Sequence, residues 1–408
     1  MNPDTPKTHD RNAGSRAAEA RRARTALAAY FFVTGALLPV WASRIPAVTA
    51  QAGVGPDALG IALLGLGVAA AATARAGGAV LDRLGPRLAV VPAALTASTA
   101  LVLPGTASGP VALTASLVVL GTCQSFLNVC VNTQAAHLQR FQGRSMLSTF
   151  HAFVSVGGCA GALTGVASTH LGLDPLTTFQ AAGLALAALA LGAARPFLRG
   201  MPRTEGAPRG ARAGGGPRFR PSASPMVLLL GGLALAGVLA ESAVQDWSAL
   251  FTQQSVGAGE TMAGSAFAAF TVAMACGRLM GDRLALLLGR TLLVRAGAAT
   301  ALGGFVLALS MPFAPATLAG FSLVGLGLSC VVPQILSAAA DLDPDRVGRN
   351  MGTVASIGYI GPLVGSPIIG AVASHSGVGA GLVLPAGLMV VLALSAGLLA
   401  PGRARVNV

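Results

Sequence analysis

Four ionisable side chains lie within long apolar segments or at their ends: Arg44, His151, Glu241 and Asp246. Charged groups are costly inside a bilayer, so such residues typically take part in ion, proton or substrate pathways. Burial favours the neutral form of a carboxylate, and Gln245 lies one helical turn after Glu241 on the same face. Glu241 is therefore the strongest candidate for reversible protonation. A permanently hydrogen-bonded structural acid is the alternative.

Arg44 and Asp246 lie near corresponding ends of two long apolar segments. Opposite charges at one level can pair, so we expect them to form an outer gate. Independent anchoring of each side chain at the membrane interface is the alternative. Trp41 and Trp247 lie at the same level, where tryptophans typically form an interfacial belt. Either indole could instead stack against a sugar.

Amide side chains form a second group of candidate binding residues. Gln124, Asn128 and Asn132 recur every four residues and so share one helix face. Such a stripe suits hydrogen bonds to a hydroxyl-rich ligand, and it equally suits hydrogen bonds between helices. Gln334 and His151 lie near the inner ends of their segments. For His151, a structural role and a role as proton carrier both remain open.

The elements that position these residues are apolar segments of about 20 residues, the length that crosses a bilayer as a helix. Of 408 residues, 53% are hydrophobic and only 10% are charged, which is too few charges for a soluble chain. The segments are apolar on all sides, unlike barrel strands. The sequence predicts an all-α membrane protein with twelve transmembrane helices, at 25–45, 57–80, 88–105, 110–138, 147–170, 176–197, 226–250, 261–281, 288–310, 315–340, 350–373 and 378–400. Kinks are expected near Pro333, Pro362 and Pro367.

The basic residues indicate how these helices are oriented. With both termini in the cytoplasm, all of the 27 Lys and Arg residues except Arg44 lie on the inner side, as the positive-inside rule requires. The net charge of +13 is spread over short connections that lack an aromatic platform, which argues against nucleic-acid binding. We predict a disordered cytoplasmic tail at 1–24, six-helix bundles at 25–197 and 226–400, a basic cytoplasmic linker at 198–225 and a cytoplasmic tail at 401–408.

A charged motif occurs twice, each time between two apolar segments. Gly77-x-x-x-x-Asp82-Arg83-Leu84 returns as Gly277-x-x-x-x-Asp282-Arg283-Leu284, which indicates two homologous halves. The first copy, Gly78-x-x-x-Asp82-Arg83-Leu84-Gly85-Pro86-Arg87, resembles the G-x-x-x-D-R-x-G-R-R/K signature of the major facilitator superfamily. Pro86 departs from the signature, and Ala285 stands in place of Gly85 in the second copy.

This resemblance implies two pseudo-symmetric bundles that work by alternating access, with the motif stabilising a closed cytoplasmic side. A second internal repeat is Gly143-Arg144-Ser145-Met146, which returns as Gly348-Arg349-Asn350-Met351. The alternative is that these charges only enforce topology. The cytoplasmic gate residues that the resemblance implies are Gly78, Asp82, Arg83, Gly85, Arg87, Arg144, Asp282 and Arg283.

Three shorter segments resemble the YbjJ-like bacterial branch of the superfamily, which is distantly similar to fucose–proton symporters. They are Trp41-Ala42-Ser43-Arg44-Ile45-Pro46, Ser148-Thr149-Phe150-His151-Ala152 and Asp246-Trp247-Ser248. The resemblance implies a transporter without supplying its substrate. The fifth predicted helix, 147–170, contains Gly157-Gly158-x-x-Gly161-x-x-x-Gly165. This glycine face predicts close helix packing, and it lacks the Gly-Pro step that marks drug–proton antiporters of the superfamily.

The leading hypothesis is a secondary active transporter that moves a small polar solute, such as a sugar, with proton coupling in a bacterial inner membrane. Proton-driven export of a small organic compound or drug is the alternative. A membrane enzyme or sensor is remote, because no catalytic or phosphate-binding motif is apparent. The five cysteines lack a metal-binding spacing. We expect no cofactor, no metal and no nucleic acid, and a monomer whose partners are its solute, protons and the bilayer.

Overall fold

The computed structural model describes residues 7–84, 86–142, 147–200, 224–311, 313–343 and 346–399. Throughout these ranges the regular structure is helical, with no strand. Short 3-10 turns occupy Leu103–Thr106 and Ala396–Leu399. The α-helices are α1 Lys7–Ser43, α2 Ile45–Ala52, α3 Pro56–Leu84, α4 Pro86–Ala100, α5 Pro110–Gln142, α6 Leu147–His170, α7 Pro175–Gly200, α8 Pro225–Gln254, α9 Glu260–Ser310, α10 Ala314–Leu328, α11 Val331–Asp341, α12 Val347–Gly358, α13 Ile360–Ser376 and α14 Val378–Ser395.

Twelve stretches of these described helices are long and apolar enough to cross a membrane, which confirms the predicted number. Helix α9 holds two of them, Glu260–Gly281 and Arg283–Ser310. Helices α10 and α11 together form one span, as do α12 and α13, and α2 forms none. The chain is therefore a multi-pass membrane protein.

Two of the expected kinks occur a few residues before a proline. Pro333 has no N–H to donate to the carbonyl of Ser329, and Pro362 has none for the carbonyl of Gly358. The α10–α11 break lies at Ser329 and Cys330, and the α12–α13 break lies at Tyr359. Pro367, where a kink was also expected, lies inside α13 without a break.

The second copy of the charged motif continues as helix further than the sequence suggests. The chain keeps helical geometry through Ala285 and breaks at Gly289, which has φ 72° and ψ 159°. Glycine adopts this conformation with little strain because it has no Cβ. The second copy therefore turns at Gly289, and Arg290 follows it directly.

The first helix also begins earlier than expected. Helix α1 starts at Lys7, inside the stretch 1–24 that was predicted to be a disordered tail. The segment 15–24 is rich in alanine and arginine, which have high intrinsic helix propensity. This property continues the helix beyond the apolar span.

The helices pack in two groups. In the N-terminal group, α1 and α3–α7, helix α1 packs on α6 and α7, and α3 packs on α5. In the C-terminal group, α8–α14, helix α9 packs on α10 and α14, and α8 packs on α12, α13 and α14. The groups meet mainly where α3 contacts α13 and α6 contacts α9.

Successive spans run in opposite directions, so their connections alternate between two faces. We call one the Arg44 face; it carries Arg44, Asp174 and Glu260 between or at the start of helices. We call the other the basic face; Arg195, Arg290 and Arg295 lie toward it.

Glycines allow the two groups to approach closely on the Arg44 side. A Cβ placed on Gly370 of α13 would lie 2.5 Å from the Pro56 carbonyl oxygen and 3.2 Å from the Cα of Gly60 on α3. In α9, a Cβ on Gly264 would lie 3.6 Å from the Ser43 carbonyl oxygen. These residues all lie within about three helical turns of the Arg44 face, and the molecule is closed there.

The predicted glycine face of α6 is confirmed. A Cβ on Gly161 would lie 2.5 Å from the Ala36 carbonyl oxygen, and Gly157 and Gly165 likewise pack against Phe32 and Ser43 of α1. These glycines join α1 and α6 within the N-terminal group. They hold in place α1, the helix that Arg44 directly follows.

Candidate functional site

Glu241 of α8 forms an ion pair with Arg278 of α9. The Nη2 atom of Arg278 lies 2.9 Å from Oε1 of Glu241, and the Gln245 amide donates to the same oxygen at 3.2 Å. The Arg278 side chain is 42% exposed and that of Glu241 is 19% exposed. As the sequence predicts, Gln245 lies one helical turn from Glu241 on the same face. The cation Arg278 of α9 was not predicted.

The charge of Glu241 is therefore compensated by Arg278 rather than isolated. Glu241 lies near the middle of α8, 16 residues after Pro225 and 13 before Gln254.

His151 faces this pair from the N-terminal group. It lies one turn into α6, its side chain is exposed, and its ring makes an edge contact with Phe31 at 5.8 Å. It is close enough to Arg278 to interact electrostatically. The two groups thus each contribute an ionisable side chain to one region.

A cavity of about 290 Å³ adjoins Glu241 between α8, α11, α12 and α13. Its polar lining comes from Glu241, Ser242 and Gln245, and Tyr359 contributes an aromatic ring at the α12–α13 break. The remaining lining is apolar, with Val238 and Leu336 among it. Such a mixture of apolar walls and a few convergent polar groups is typical of small-molecule sites.

The amide residues of α5 are partly joined to one another. Asn132 donates to the side-chain oxygen of Asn128 at 2.7 Å and to its carbonyl at 2.9 Å. Asn128 is exposed, whereas Gln124 and Asn132 are half-buried. The stripe therefore lies on one helix face, and part of its hydrogen-bonding capacity is used within the helix. Gln334 does not join this stripe; it lines a separate cavity at the basic face.

On the Arg44 face, Arg44 connects the two groups. Its Nη2 donates to the Leu173 carbonyl at 2.6 Å, and its Nη1 lies 3.0 Å from Oε1 of Glu260. The Arg44–Glu260 geometry is not aligned for a hydrogen bond, so the contact is one of charge alone. The Arg44 side chain is 1% exposed and that of Glu260 is 38% exposed. Leu173 belongs to the N-terminal group, and Glu260 belongs to the C-terminal group.

The partner of Arg44 therefore differs from the predicted one. Asp246 instead accepts a hydrogen bond from the Ser366 hydroxyl at 2.9 Å. Asp246 lies eight residues before the end of α8, about 12 Å below it at the helical rise. Arg44 directly follows the last residue of α1, and Glu260 is the first residue of α9. Arg44 and Glu260 therefore lie at the same level at the Arg44 face, whereas Asp246 lies deeper, so Arg44 pairs with Glu260 and not with Asp246.

Asp174 completes the charged cluster at this face. It precedes α7 and accepts hydrogen bonds from the backbone N–H and the hydroxyl of Thr177, both at 2.8 Å. The Thr177 N–H bond, followed by the hydroxyl bond, holds the pKa of Asp174 below its usual range. Burial lowers the pKa of Arg44, while the charges of Glu260 and Asp174 oppose that shift.

The two tryptophans are packed inside the protein. Trp41 is 2% exposed and lies near Phe179, and Trp247 is fully buried against Gly370. Neither indole N–H has a hydrogen-bond partner among the described residues. In this state the two tryptophans therefore form neither an interfacial belt nor an open surface on which a sugar could stack.

Most of the predicted cytoplasmic gate residues have side chains outside the described part of the chain. Gly85 and Arg144 fall outside the described residues, and so do the side chains of Asp82, Arg83, Arg87 and Asp282. Arg283 is exposed. A Cβ on Gly78 would meet no described atom within 4 Å, whereas one on Gly77 would contact Phe126 and Val129 of α5. In the first copy, Gly77 rather than Gly78 therefore packs against a neighbouring helix.

Sequence reasoning missed three functional candidates: Arg278, Glu260 and Ser366. Arg278 lies inside the second motif copy, at the place that Gly78 holds in the first. That difference between the copies was a usable signal. Glu260 follows a glycine-containing connection as the first residue of a helix, and Ser366 has no sequence feature that marks it. Among the described residues, no cluster of side chains fits a metal ion.

The sequence profile of the Major Facilitator Superfamily matches residues 23–342 and again 232–407. The chain belongs to this superfamily. An uncharacterized MFS-type transporter of Yersinia pestis is 32% identical over 90% of this chain and 93% of its own length. Within the superfamily, the chain is a membrane transporter and not an enzyme.

Solved structures of superfamily members share the fold. A mutant of the nucleoside transporter NupG has a TM-score of 0.75 at 13% identity, covering 92% of this chain and 99% of that one. A bacterial homolog of the human lysosomal transporter Spinster, in an inward-facing and unoccupied conformation, has a TM-score of 0.73 at 14% identity. That match covers 93% of this chain and 97% of the other.

Proposed function

We propose that this transporter moves a small polar solute by alternating access, coupled to protons at Glu241. The observation that carries the proposal is the Glu241–Arg278 ion pair, which lies beside a cavity of about 290 Å³ and faces His151. The attraction between a carboxylate and a guanidinium in contact is strong only while the carboxylate is charged. Protonation is therefore able to switch the pair.

The proposed cycle follows from that contact. A proton on Glu241 removes the charge that holds Arg278, so the guanidinium and the Gln245 amide become available to the solute. Release of the proton restores the ion pair and expels the solute. His151, on the opposite group, senses the position of Arg278 through charge repulsion when the histidine is protonated.

The two groups of helices would rock about this region. We propose that they move as the bundles 25–197 and 226–400, joined by the basic linker 198–225. In the described state, Arg44, Leu173 and Glu260 keep the Arg44 face shut. The other face would close through the motif residues Asp82 and Arg83 in the opposite state.

We further propose that both termini lie in the cytoplasm of a bacterium and that the chain spans its inner membrane. The distribution of basic residues supports this orientation, and it makes the described state inward-facing. The segments 41–46 and 246–248 support membership in the YbjJ-like branch. That resemblance does not supply the substrate; the distant similarity of the branch to fucose–proton symporters makes a sugar-like solute moved by symport the first to test.

Transport in proteoliposomes tests the coupling. A thermal-shift screen of the purified protein against sugars, organic acids and drugs first identifies a ligand. Uptake of that ligand is then measured with and without an inward proton gradient. Wild-type uptake is expected to rise with the gradient, and Glu241→Gln is expected to bind the ligand but to lose the gradient response.

Asp57→Asn provides the matched control, because Asp57 is an exposed acid at the start of α3, away from the cavity. It makes the same carboxylate-to-amide change and is expected to leave the gradient response intact. Gradient-driven accumulation by Glu241→Gln at the wild-type level would overturn the coupling role. A screen that yields only hydrophobic drugs would favour the exporter alternative instead.

A further inference from the structure

A second cavity, of about 730 Å³, lies at the basic face where α9 breaks at Gly289. It is lined by residues on both sides of that break and by Gln334 and Ser337 of α11. Arg290 and Arg295 both contribute guanidinium groups to its wall. This cavity is separate from the one beside Glu241, which is formed by α8, α11, α12 and α13.

We propose that this cavity binds the phosphate of an anionic glycerophospholipid. Its positive charge is only partly compensated. Asp341 accepts from Nη2 of Arg290 at 2.5 Å, and the Ser337 hydroxyl lies 3.2 Å from the same atom. Among the described residues, Arg295 makes one long bond of 3.4 Å, from Nε to the Ala393 carbonyl. The described charges at the site, two cations and one carboxylate, sum to one net positive charge.

The polar atoms of the cavity suit a phosphate group. Nε of Arg290 is buried and has no hydrogen-bond partner among the described residues. The hydroxyl of Ser337 and the amide of Gln334 lie in the same wall. Guanidinium groups bind phosphate oxygens by paired, charge-assisted hydrogen bonds, and hydroxyl and amide groups can complete the oxygen shell.

The apolar rim distinguishes a lipid from a soluble phosphate. Leu286 is 88% exposed, and Leu288 and Leu292, which also line the cavity, are 41% and 51% exposed. Exposed leucines beside a basic cavity match the two parts of a phospholipid, an acyl chain and an anionic headgroup. Basic pockets between membrane helices on the cytoplasmic side bind anionic headgroups in this way.

Native mass spectrometry of the full-length protein in detergent tests the proposal. The protein is titrated with phosphatidylglycerol or with phosphatidylcholine of the same acyl chains. Phosphatidylglycerol is expected to fill one site in preference to phosphatidylcholine. Arg295→Gln is expected to weaken that site about fivefold, which corresponds to ~1 kcal/mol for one basic side chain.

Arg195→Gln is the matched control, since Arg195 is an exposed arginine toward the same face, on α7 and outside the cavity. It is expected to bind the lipid like wild type. Equal binding of the two lipids, or an equal loss in both variants, would overturn the proposal. A third arm adds inorganic phosphate: if the phosphate alone stabilises the protein and the lipid shows no preference, the site binds a soluble anion and not a lipid.

Discussion

Arg44 and Glu260 face each other across the boundary between the two groups of helices, with Nη1 and Oε1 3.0 Å apart. Arg44 is nearly inaccessible to solvent, and its other terminal nitrogen is held by the Leu173 carbonyl. The contact lies at the Arg44 face, where Gly370 of α13 also packs against Pro56 and Gly60 of α3. It therefore favours the state in which the Arg44 face is shut.

Glu260→Gln is expected to shift the protein toward a state open at the Arg44 face. The Glu260 side chain is 38% exposed, so the shift should be modest, about 0.2–1 kcal/mol. Double electron–electron resonance measures it, with spin labels at Ser108 and Ser255 in a variant that lacks the native cysteines. The fraction of molecules with a long distance between the two spin labels should increase. Asp57→Asn, on the same face, should leave it unchanged, and an unaltered distribution in Glu260→Gln would contradict the role of this pair.

Gly370→Ala is expected to prevent full closure at the same face. The added methyl would lie 2.5 Å from the Pro56 carbonyl oxygen and 3.2 Å from the Gly60 Cα, so α3 and α13 must separate. Overpacking of this kind costs about 1–3 kcal/mol. The same spin-label pair should report a larger open population. Gly387→Ala is the control, because no described atom lies within 4 Å of its Cβ position. Equal behaviour of the two variants would show that the close approach is unimportant.

Tyr30→Phe is expected to lower thermal stability without changing the fold. The buried Tyr30 hydroxyl donates to the Ala190 carbonyl at 2.8 Å and so joins α1 to α7. Phenylalanine keeps the ring packing against Phe197 but loses the bond, at a cost of about 0.5–1.5 kcal/mol. Thermal unfolding in detergent measures the loss. Tyr359→Phe changes an exposed tyrosine and should leave the melting temperature within error of wild type.

The contribution of Asp174 to stability is expected to depend on pH. Hydrogen bonds from Thr177 lower its folded-state pKa, so the stabilisation is fully present above the unfolded value of about 3.9 and is lost as pH falls through the folded value. Asp174→Asn should therefore be less stable than wild type near pH 7, and this difference should shrink below about pH 4. Unfolding midpoints in detergent between pH 7 and pH 3 measure it. A constant difference across that range would contradict the charge-dependent cap.

Composition and hydrophobic pattern were sufficient for the architecture. Spans of about 20 apolar residues can only be helices in a bilayer, and prolines 333 and 362 marked the positions of two breaks. The pattern could not place Gly289 as the turning point of α9, because the helical propensity of the segment Ala285–Leu288 is as high as that of the helix before it.

The sites were predictable only in part. Periodicity brought Gln245 to Glu241 and Asn132 to Asn128, since both pairs are one turn apart on a single helix. Partners on different helices could not be predicted in this way: Arg278 pairs with Glu241, and Glu260 lies against Arg44. The pairing of such residues depends on how deep each lies along its helix and on which helices touch. Neither quantity is encoded in spacing along the chain.

The unlike residues at positions 78 and 278 of the repeat have an electrical consequence. Gly78 in the first copy cannot bind a carboxylate, so among the described residues the Arg278–Glu241 pair has no counterpart at the matching position of the first copy. With Glu241 as the single coupled proton acceptor, each turnover that carries a neutral solute would move one elementary charge across the membrane. Each 100 mV of membrane potential would then contribute about 2.3 kcal/mol to accumulation, so the asymmetry between the two halves would make the carrier sensitive to voltage.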